Sequence, residues 1–119
     1  MRLLTLPEPP SANRWWRNFR GRMVTSPEAR AYKHAAALLA LKQGFTEPLE
    51  GPVSLTVRWF RARKSGDLDK RVGILLDALQ GVCYTSDAQI VELHAHRSDA
   101  TPKDPRVEVT IRAALTPTP

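Results

Sequence analysis

An amphipathic helix flanked by acidic residues is the feature that most constrains this chain. Residues 65–90 read SGDLDKRVGILLDALQGVCYTSDAQI. An apolar stripe at helical spacing predicts a helix that begins near Asp67 or Asp69 and ends at Gly81. The stripe consists of Leu68, Val72, Leu75, Leu76 and Leu79. Such a helix must bury one face against a second layer, which predicts a packed globular fold.

The acids of this segment are candidate metal ligands. Asp67 and Asp69 stand where a strand turns into the helix, and Asp87 precedes a returning strand. Carboxylates at this spacing suit a hard divalent cation such as Mg²⁺, which needs few protein ligands. The rest of the chain is basic, with 18 Lys and Arg against 12 Asp and Glu and a net charge of +6. Acids gathered in a basic chain predict a cation held between carboxylates and a polyanion, as in a metal-dependent nuclease.

Length and composition predict one soluble domain, residues 1–115, followed by a flexible tail at 116–119. The chain has 119 residues, of which 42% are hydrophobic and 25% charged. Cys83 is the only cysteine, which excludes an internal disulfide and fits a reducing compartment. The first residues form too short an apolar run for a secretory signal, and no window approaches a membrane span of about 20 apolar residues. We therefore expect a cytoplasmic protein that does not associate with membranes.

Periodicity predicts an α+β fold in the order β-α-β-α-β-β, a mixed sheet with two helices. Ser26, Pro27 and Glu28 form a strong helix start, and that helix runs towards Gly44. The predicted strands are 3–6, 53–61, 89–97 and one centred on 107–111. Residues 11–25 are expected to form an irregular basic and aromatic loop.

Chain lengths allow the three acids to meet within one subunit. A helix from Asp67 to Gly81 is about 21 Å long at ~1.5 Å per residue. Residues 82–87, if extended, return about 20 Å at ~3.3 Å each. The near match makes a compact site feasible, and a site shared across a dimer remains the alternative.

Each acid also has a structural interpretation to be weighed. Asp69 by itself could be a helix N-cap. Asp67 and Asp87 have no comparable structural role. Asp77 lies at the edge of the apolar stripe and is interpreted as a structural hydrogen-bond acceptor rather than a ligand.

A second informative segment is basic and aromatic. Residues 13–22 contain four arginines and no acid. Arginines supply phosphate contacts, and aromatic side chains stack on or wedge between bases; the alternative is that the aromatics belong to the core or to a subunit interface. The residues predicted to bind DNA are Asn13, Arg14, Trp15, Arg17, Arg20 and Arg22, together with Arg71 in the second helix.

Together these segments resemble the RusA family of Holliday-junction resolvases. The match comprises residues 9–17, the helix start at 26–32, Gly51-Pro52, Asp67-Leu-Asp69, residues 76–82 and Ser86-Asp-Ala-Gln89, in order. The resemblance implies a small homodimeric, Mg²⁺-dependent endonuclease that cuts four-way DNA junctions, often of phage or prophage origin. It also implies that the catalytic, metal-binding aspartates are Asp67, Asp69 and Asp87.

The chain departs from the family pattern beside these acids. The family commonly has Asn after the second Asp and Lys three residues later, where this chain has Lys70 and Gly73. The family also frequently has two consecutive aspartates two residues before a glutamine, where this chain has Ser86 and Asp87 before Gln89. We expect Lys70 to be the catalytic cation in place of the missing lysine. The alternative is a branched-DNA-binding protein of the same fold with weak or no cleavage.

Overall fold

The computed structural model describes residues 2–63, 66–98 and 103–114. Its strands are β1 (Arg2–Pro7), β2 (Trp16–Phe19), β3 (Arg22–Thr25), β4 (Val53–Phe60), β5 (Ile90–Ser98) and β6 (Arg106–Ala113). Its helices are α1 (Ala12–Trp15), α2 (Pro27–Lys42) and α3 (Leu68–Leu79), and a 3₁₀ turn spans Asp87–Gln89. The fold is α+β with a mixed sheet, as predicted. The predicted tail at 116–119 lies outside the described residues.

The main sheet has the strand order β1-β6-β4-β5. Strand β6 is antiparallel to both of its neighbours, whereas β4 and β5 are parallel. Parallel neighbours require a crossover connection, and α3 supplies it. One consequence is that α3 runs from the carboxyl end of β4 back to the level where both strands begin.

The core lies between one face of this sheet and helices α2 and α3. Val53, Leu55, Val57 and Trp59 alternate along β4 and are almost fully buried, which confirms the predicted half-buried strand. The stripe of α3 is also buried at Val72, Leu75 and Leu79, with Leu68 and Leu76 packed against the core. Ser26 caps α2 as predicted, because its Oγ accepts a hydrogen bond of 3.0 Å from the Ala29 N–H.

Residues 11–25, predicted to form an irregular loop, are instead ordered. Because this segment contains an additional short helix, the described chain has three α-helices rather than the predicted two. It forms the short helix α1 and a hairpin in which β2 pairs antiparallel with β3. Arg20 and Gly21 connect the two strands with φ of 52° and 78°. Two consecutive positive φ values are typical of the tight hairpin turn whose twist matches its strands. Arg-Gly is a weak sequence signal for this turn compared with Asn-Gly, so the hairpin was missed.

In the part of the chain that the structure describes, no helix combines the length and apolar character needed to cross a membrane.

Candidate active site

The start of α3 presents two acids and a lysine to solvent. Asp67 occupies the N-cap position, but its side chain makes no capping hydrogen bond, and Asp69 lies in the first turn. Lys70 Nζ lies 3.5 Å from Asp67 Oδ2, and both side chains are about two-thirds exposed. Asp69 is exposed, and its side chain makes no hydrogen bond or ion pair with the described residues. The N-cap interpretation of Asp69 is therefore wrong, and both carboxylates are available to a ligand.

Asp87 is held at the other end of α3. Its backbone N–H donates to Gln80 Oε1 at 3.3 Å, and Gln80 is the residue that terminates the helix. Gln89 fixes this turn, because its amide donates to the Leu49 and Gly51 carbonyls at 2.8 Å each. Its Oε1 also accepts from the Ser86 N–H at 2.9 Å. The Ser-Asp-x-Gln motif thus anchors Asp87 beside the beginning of β4.

Asp67 and Asp87 consequently lie at opposite ends of strands β4 and β5, and the structure does not bring the three acids together in one subunit. The 12 residues of α3 span roughly 18 Å at ~1.5 Å per residue. Segment 82–87 does not return along the helix as expected. Instead, the chain turns at once, with the Gly81 N–H bonded to the Tyr84 carbonyl at 2.7 Å. The helix is itself the return path, because β5 starts level with the start of β4.

The metal-ligating side chains of the described residues agree with this separation. No group of three or more His, Cys, Asp or Glu side chains among them is arranged to hold a metal ion. Asp67 and Asp69 are therefore a pair of ligands in one chain, and Asp87 belongs to a different surface of that chain.

A largely buried ion pair, between Glu8 and Arg71, fixes the first turn of α3 to the sheet. Arg71 donates to the Pro9 carbonyl at 2.6 Å and lies 3.9 Å from Glu8 Oε1, with its guanidinium 4.7 Å from the Trp59 ring centre. Glu8 Oε2 also accepts from Trp59 Nε1 at 2.7 Å and from the Ala62 N–H at 3.2 Å. Burial lowers the pKa of Arg71, and Glu8 acts in the opposite direction. Sequence reasoning missed Glu8, whose position between two prolines after a strand was the available signal.

Arg71 was predicted to contact DNA, and the structure corrects that assignment. Only 14% of its side chain is exposed, and its guanidinium is engaged by the Pro9 carbonyl and by Glu8. It orients the α3 start instead. Ser11 and Arg71 line both of two adjacent clefts. The smaller cleft, of about 250 Å³, is also lined by Asn13, Asp67 and Lys70. The larger cleft, of about 690 Å³, is also lined by Arg14 and Arg63.

The prediction that Trp15 binds DNA is wrong. Trp15 is fully buried, and its Nε1 donates to Asp77 Oδ2 at 3.0 Å. Lys33 Nζ lies 3.3 Å from the same carboxylate oxygen. Asp77 is thus a structural acceptor, as predicted, and it ties α1, α2 and α3 together.

The remaining predicted DNA-binding residues are exposed on α1 and the hairpin. These are Asn13, Arg14, Arg17, Arg20 and Arg22. The hairpin also exposes Trp16 (43%), Phe19 (48%) and Met23 (65%). Arg17 and Arg20 lie 5.8 and 5.2 Å from the Phe19 ring centre. The result is an exposed, cationic and aromatic surface that we call the basic hairpin (residues 16–25).

Comparison with known proteins identifies the family. The model of the family described as Endodeoxyribonuclease RusA matches residues 7–112. This chain belongs to the RusA family. Relatives named crossover junction endodeoxyribonuclease RusA occur in Escherichia coli strain K12, at 34% identity, and in Shigella sonnei, at 33%. A protein of that name from Enterobacteria phage 82 is 34% identical. Each of these alignments spans 91% of both chains. The predicted family and the predicted endonuclease class are confirmed.

Proposed function

We propose that this protein resolves four-way (Holliday) DNA junctions by Mg²⁺-dependent phosphodiester hydrolysis. The observation that carries the proposal is the pair of exposed carboxylates, Asp67 and Asp69, beside Lys70 on a RusA-family chain. Relatives that cover most of both chains are named for cleavage of crossover junctions. The cytoplasm is the compartment that this role and the unpaired thiol of Cys83 favour.

The donor set fits a magnesium ion. Carboxylate oxygens are the ligands that Mg²⁺ prefers, and the ion keeps several waters, so few protein ligands suffice. Among the described residues, the Asp69 carboxylate has no competing partner and the Asp67 carboxylate pairs only with the solvent-exposed Lys70. A bound Mg²⁺ would supply an activated water and neutralise charge on the scissile phosphate.

The protein's own residues position the DNA around these acids. Lys70 places a cation beside Asp67, where it stabilises the negative charge that grows on the phosphate during hydrolysis. The Glu8–Arg71 pair holds the first turn of α3 in place. The basic hairpin contacts backbone phosphates through its arginines, and Trp16 and Phe19 stack on exposed bases.

The position of Asp87 supports a shared site. We propose that the functional unit is a homodimer in which Asp87 of one subunit serves Asp67 and Asp69 of the other. The roughly 18 Å helix between these acids in one chain supports this arrangement, because ligands of one metal ion must lie within a few ångströms of each other. A two-fold dimer also matches a substrate that presents two equivalent strands.

A subunit-mixing experiment tests this proposal. Asp67→Asn, Asp69→Asn and Asp87→Asn should each abolish Mg²⁺-dependent cleavage of a synthetic four-way junction while junction binding survives. Mixing Asp67→Asn with Asp87→Asn subunits restores one shared site per heterodimer and therefore nicking of one strand. Asp67→Asn mixed with Asp69→Asn is the matched control, because both changes fall in the same half of the site and no intact site forms.

Three results would count against the proposal. Full cleavage by any single variant removes that acid from the site. If the mixture of Asp67→Asn and Asp87→Asn subunits does not nick the junction although subunit exchange is verified, the three acids do not form a site shared between subunits. Tight junction binding by the parent protein without cleavage at any Mg²⁺ concentration favours a branched-DNA-binding protein, the alternative suggested by Gly73.

A further inference from the structure

The larger cleft opens directly beside the candidate acid site. Asp67 and Lys70 line the smaller cleft, and the two clefts share Ser11 and Arg71. A DNA strand whose phosphate lies at Asp67 can therefore continue past Ser11 into the larger cleft. The larger cleft is thus placed to receive the nucleotide next to the phosphate that is cut.

The lining of the larger cleft combines the two kinds of group that a nucleotide needs. Guanidinium groups suit a phosphate, and apolar groups suit the faces of a base. Arg14 and Arg63 supply the exposed guanidinium groups. The apolar lining consists of Pro9, Pro10, Ala31, Tyr32 and Ala62.

One of the two acids that line this cleft is neutralised within the protein. Glu8 Oε2 accepts hydrogen bonds from Trp59 Nε1 and from the Ala62 N–H. Its other oxygen lies 3.9 Å from Arg71, and only 20% of the Glu8 side chain is exposed. Glu8 therefore presents little uncompensated negative charge to a phosphate in the cleft.

The second acid is held only by a weak pair. Glu28 Oε1 lies 3.8 Å from Arg14 Nη1, and the two side chains are 49% and 73% exposed. Ion pairs between exposed side chains contribute little free energy, so a phosphate can take the place of Glu28 at Arg14. The Arg63 side chain forms no ion pair with the described residues. Both arginines are therefore available to a phosphate.

The size of the cleft selects an unpaired nucleotide. Its volume of about 690 Å³ lies within the roughly 300–1,000 Å³ of sites that bind one small molecule. A cube of that volume is only about 9 Å on a side, whereas the major groove of duplex DNA alone is about 12 Å wide, so a duplex cannot enter. Nucleotides at a branch point, where strands exchange partners, leave the base stack at the lowest cost.

We propose that the larger cleft binds one unstacked nucleotide of the cut strand, next to the scissile phosphate. Arg14 and Arg63 hold its phosphate, and its base lies against the apolar lining at Pro9 and Pro10. This inference rests on the proposed function, because the smaller cleft must hold the scissile phosphate. The subsite favours branched DNA, since a nucleotide of a continuous duplex must first be unpaired and extruded.

Site-specific cross-linking tests which part of the DNA occupies the cleft. Ala31 is exposed on α2 and lines the cleft, so Ala31→Cys places a thiol there. The probe is a four-way junction with a short disulfide-activated tether on one base, placed on either side of the mapped cleavage position. Ala31→Cys should cross-link at one of these two positions and not to a tether within a duplex arm. Leu38→Cys, about two helical turns further along α2 and exposed, is the matched control and should not cross-link. The native Cys83 is fully buried and does not compete.

Filling the cleft tests its contribution to selectivity without changing its charge. In the absence of Mg²⁺, Ala31→Trp should bind the junction at least ~10-fold more weakly than the parent, the scale for losing one base contact. Its affinity for linear duplex should not change, and Leu38→Trp should bind both as the parent does. Arg63→Gln should also weaken junction binding, whereas Glu28→Gln should strengthen it by releasing Arg14. Circular dichroism checks that each variant is folded.

These measurements separate the subsite from the proposed function, because none of them requires cleavage. Absence of a cross-link from Ala31→Cys at both positions, or parental junction affinity of Ala31→Trp and Arg63→Gln, overturns the subsite while cleavage by the parent upholds the nuclease. If Ala31→Cys cross-links as expected but the parent never cuts a junction, the subsite stands and the nuclease proposal is wrong.

Discussion

Lys70 Nζ lies 3.5 Å from Asp67 Oδ2, one helical turn away at the start of α3. The ammonium group therefore lies beside the Asp67 carboxylate, although on an ideal helix Lys70 is rotated by about 100° from Asp69. The pairing favours Lys70 as the cation that replaces the lysine missing at position 73.

Loss of Lys70 should slow cleavage without affecting assembly. Lys70→Ala is expected to reduce turnover of a four-way junction by ~10²-fold or more, the scale for losing one transition-state interaction. Gly73→Lys in that background should recover part of the rate, since position 73 is exposed and a Cβ there meets open space. Single-turnover kinetics measures both effects, with the exposed Lys42→Ala as control. Parental rates for Lys70→Ala would make Lys70 a phosphate-facing surface charge only.

Two adjacent tryptophans should separate folding from DNA binding. Trp15 is fully buried and bonded to Asp77, so Trp15→Ala should cost about 3–5 kcal/mol of unfolding free energy. Trp16 is 43% exposed on the hairpin, so Trp16→Ala should change stability little and weaken junction binding. Urea unfolding and electrophoretic mobility shifts measure the two effects. An unchanged urea midpoint for Trp15→Ala contradicts its assignment to the core.

The basic hairpin should contribute salt-dependent affinity. Arg17→Ala, Arg20→Ala and Arg22→Ala should each weaken binding to all junction sequences alike and flatten the log–log salt dependence by about 1 for each phosphate that is no longer neutralised. Lys42→Ala, at the last turn of α2, is the control and should leave the slope unchanged. Unchanged slopes for all three arginine variants would remove the hairpin from the DNA interface.

Stability should fall in alkaline solution. Burial raises the pKa of Cys83 from 9.0 to about 12, and burial also raises the pKa of Tyr32 and of Tyr84. Each group ionises more readily when unfolded, so its stabilisation is complete below its unfolded pKa and is lost as pH rises towards the folded value. For Cys83 that window runs from about pH 9 to 12. Urea midpoints between pH 7 and 10.5 should decline, and less steeply for Cys83→Ala; equal slopes contradict a thiol contribution.

Local patterns determined much of the fold from the sequence alone. The period-2 alternation of β4 and the apolar stripe of α3 each report a buried face, because only one side of a strand or helix meets the core. Ser26-Pro27 marked the start of α2 for a similarly local reason, since capping depends on atoms three residues apart. The hairpin was missed because its turn relies on Arg20 adopting a positive φ that its residue type does not favour.

The roles of several acidic side chains could likewise be predicted from residue type and position in the helix. Exposed carboxylates at Asp67 and Asp69 follow from their place at a helix start, and the structural role of Asp77 follows from its place beside the apolar stripe. Burial of Trp15 beside the exposed Trp16 did not follow, because Trp15 ends a four-residue helix and Trp16 begins a four-residue strand, which are too short to show a periodicity.

The relation between Asp67 and Asp87 was decided only by tertiary structure. Chain length permits segment 82–87 to return along α3, but the parallel pairing of β5 with β4 makes α3 itself the return path. Strand direction depends on contacts between residues far apart in the chain, which no local pattern encodes. The sequence by itself therefore determined which residues carry the acids, the cation and the core, whereas the parallel pairing decided that Asp67 and Asp87 lie at opposite ends of the parallel strands in one subunit.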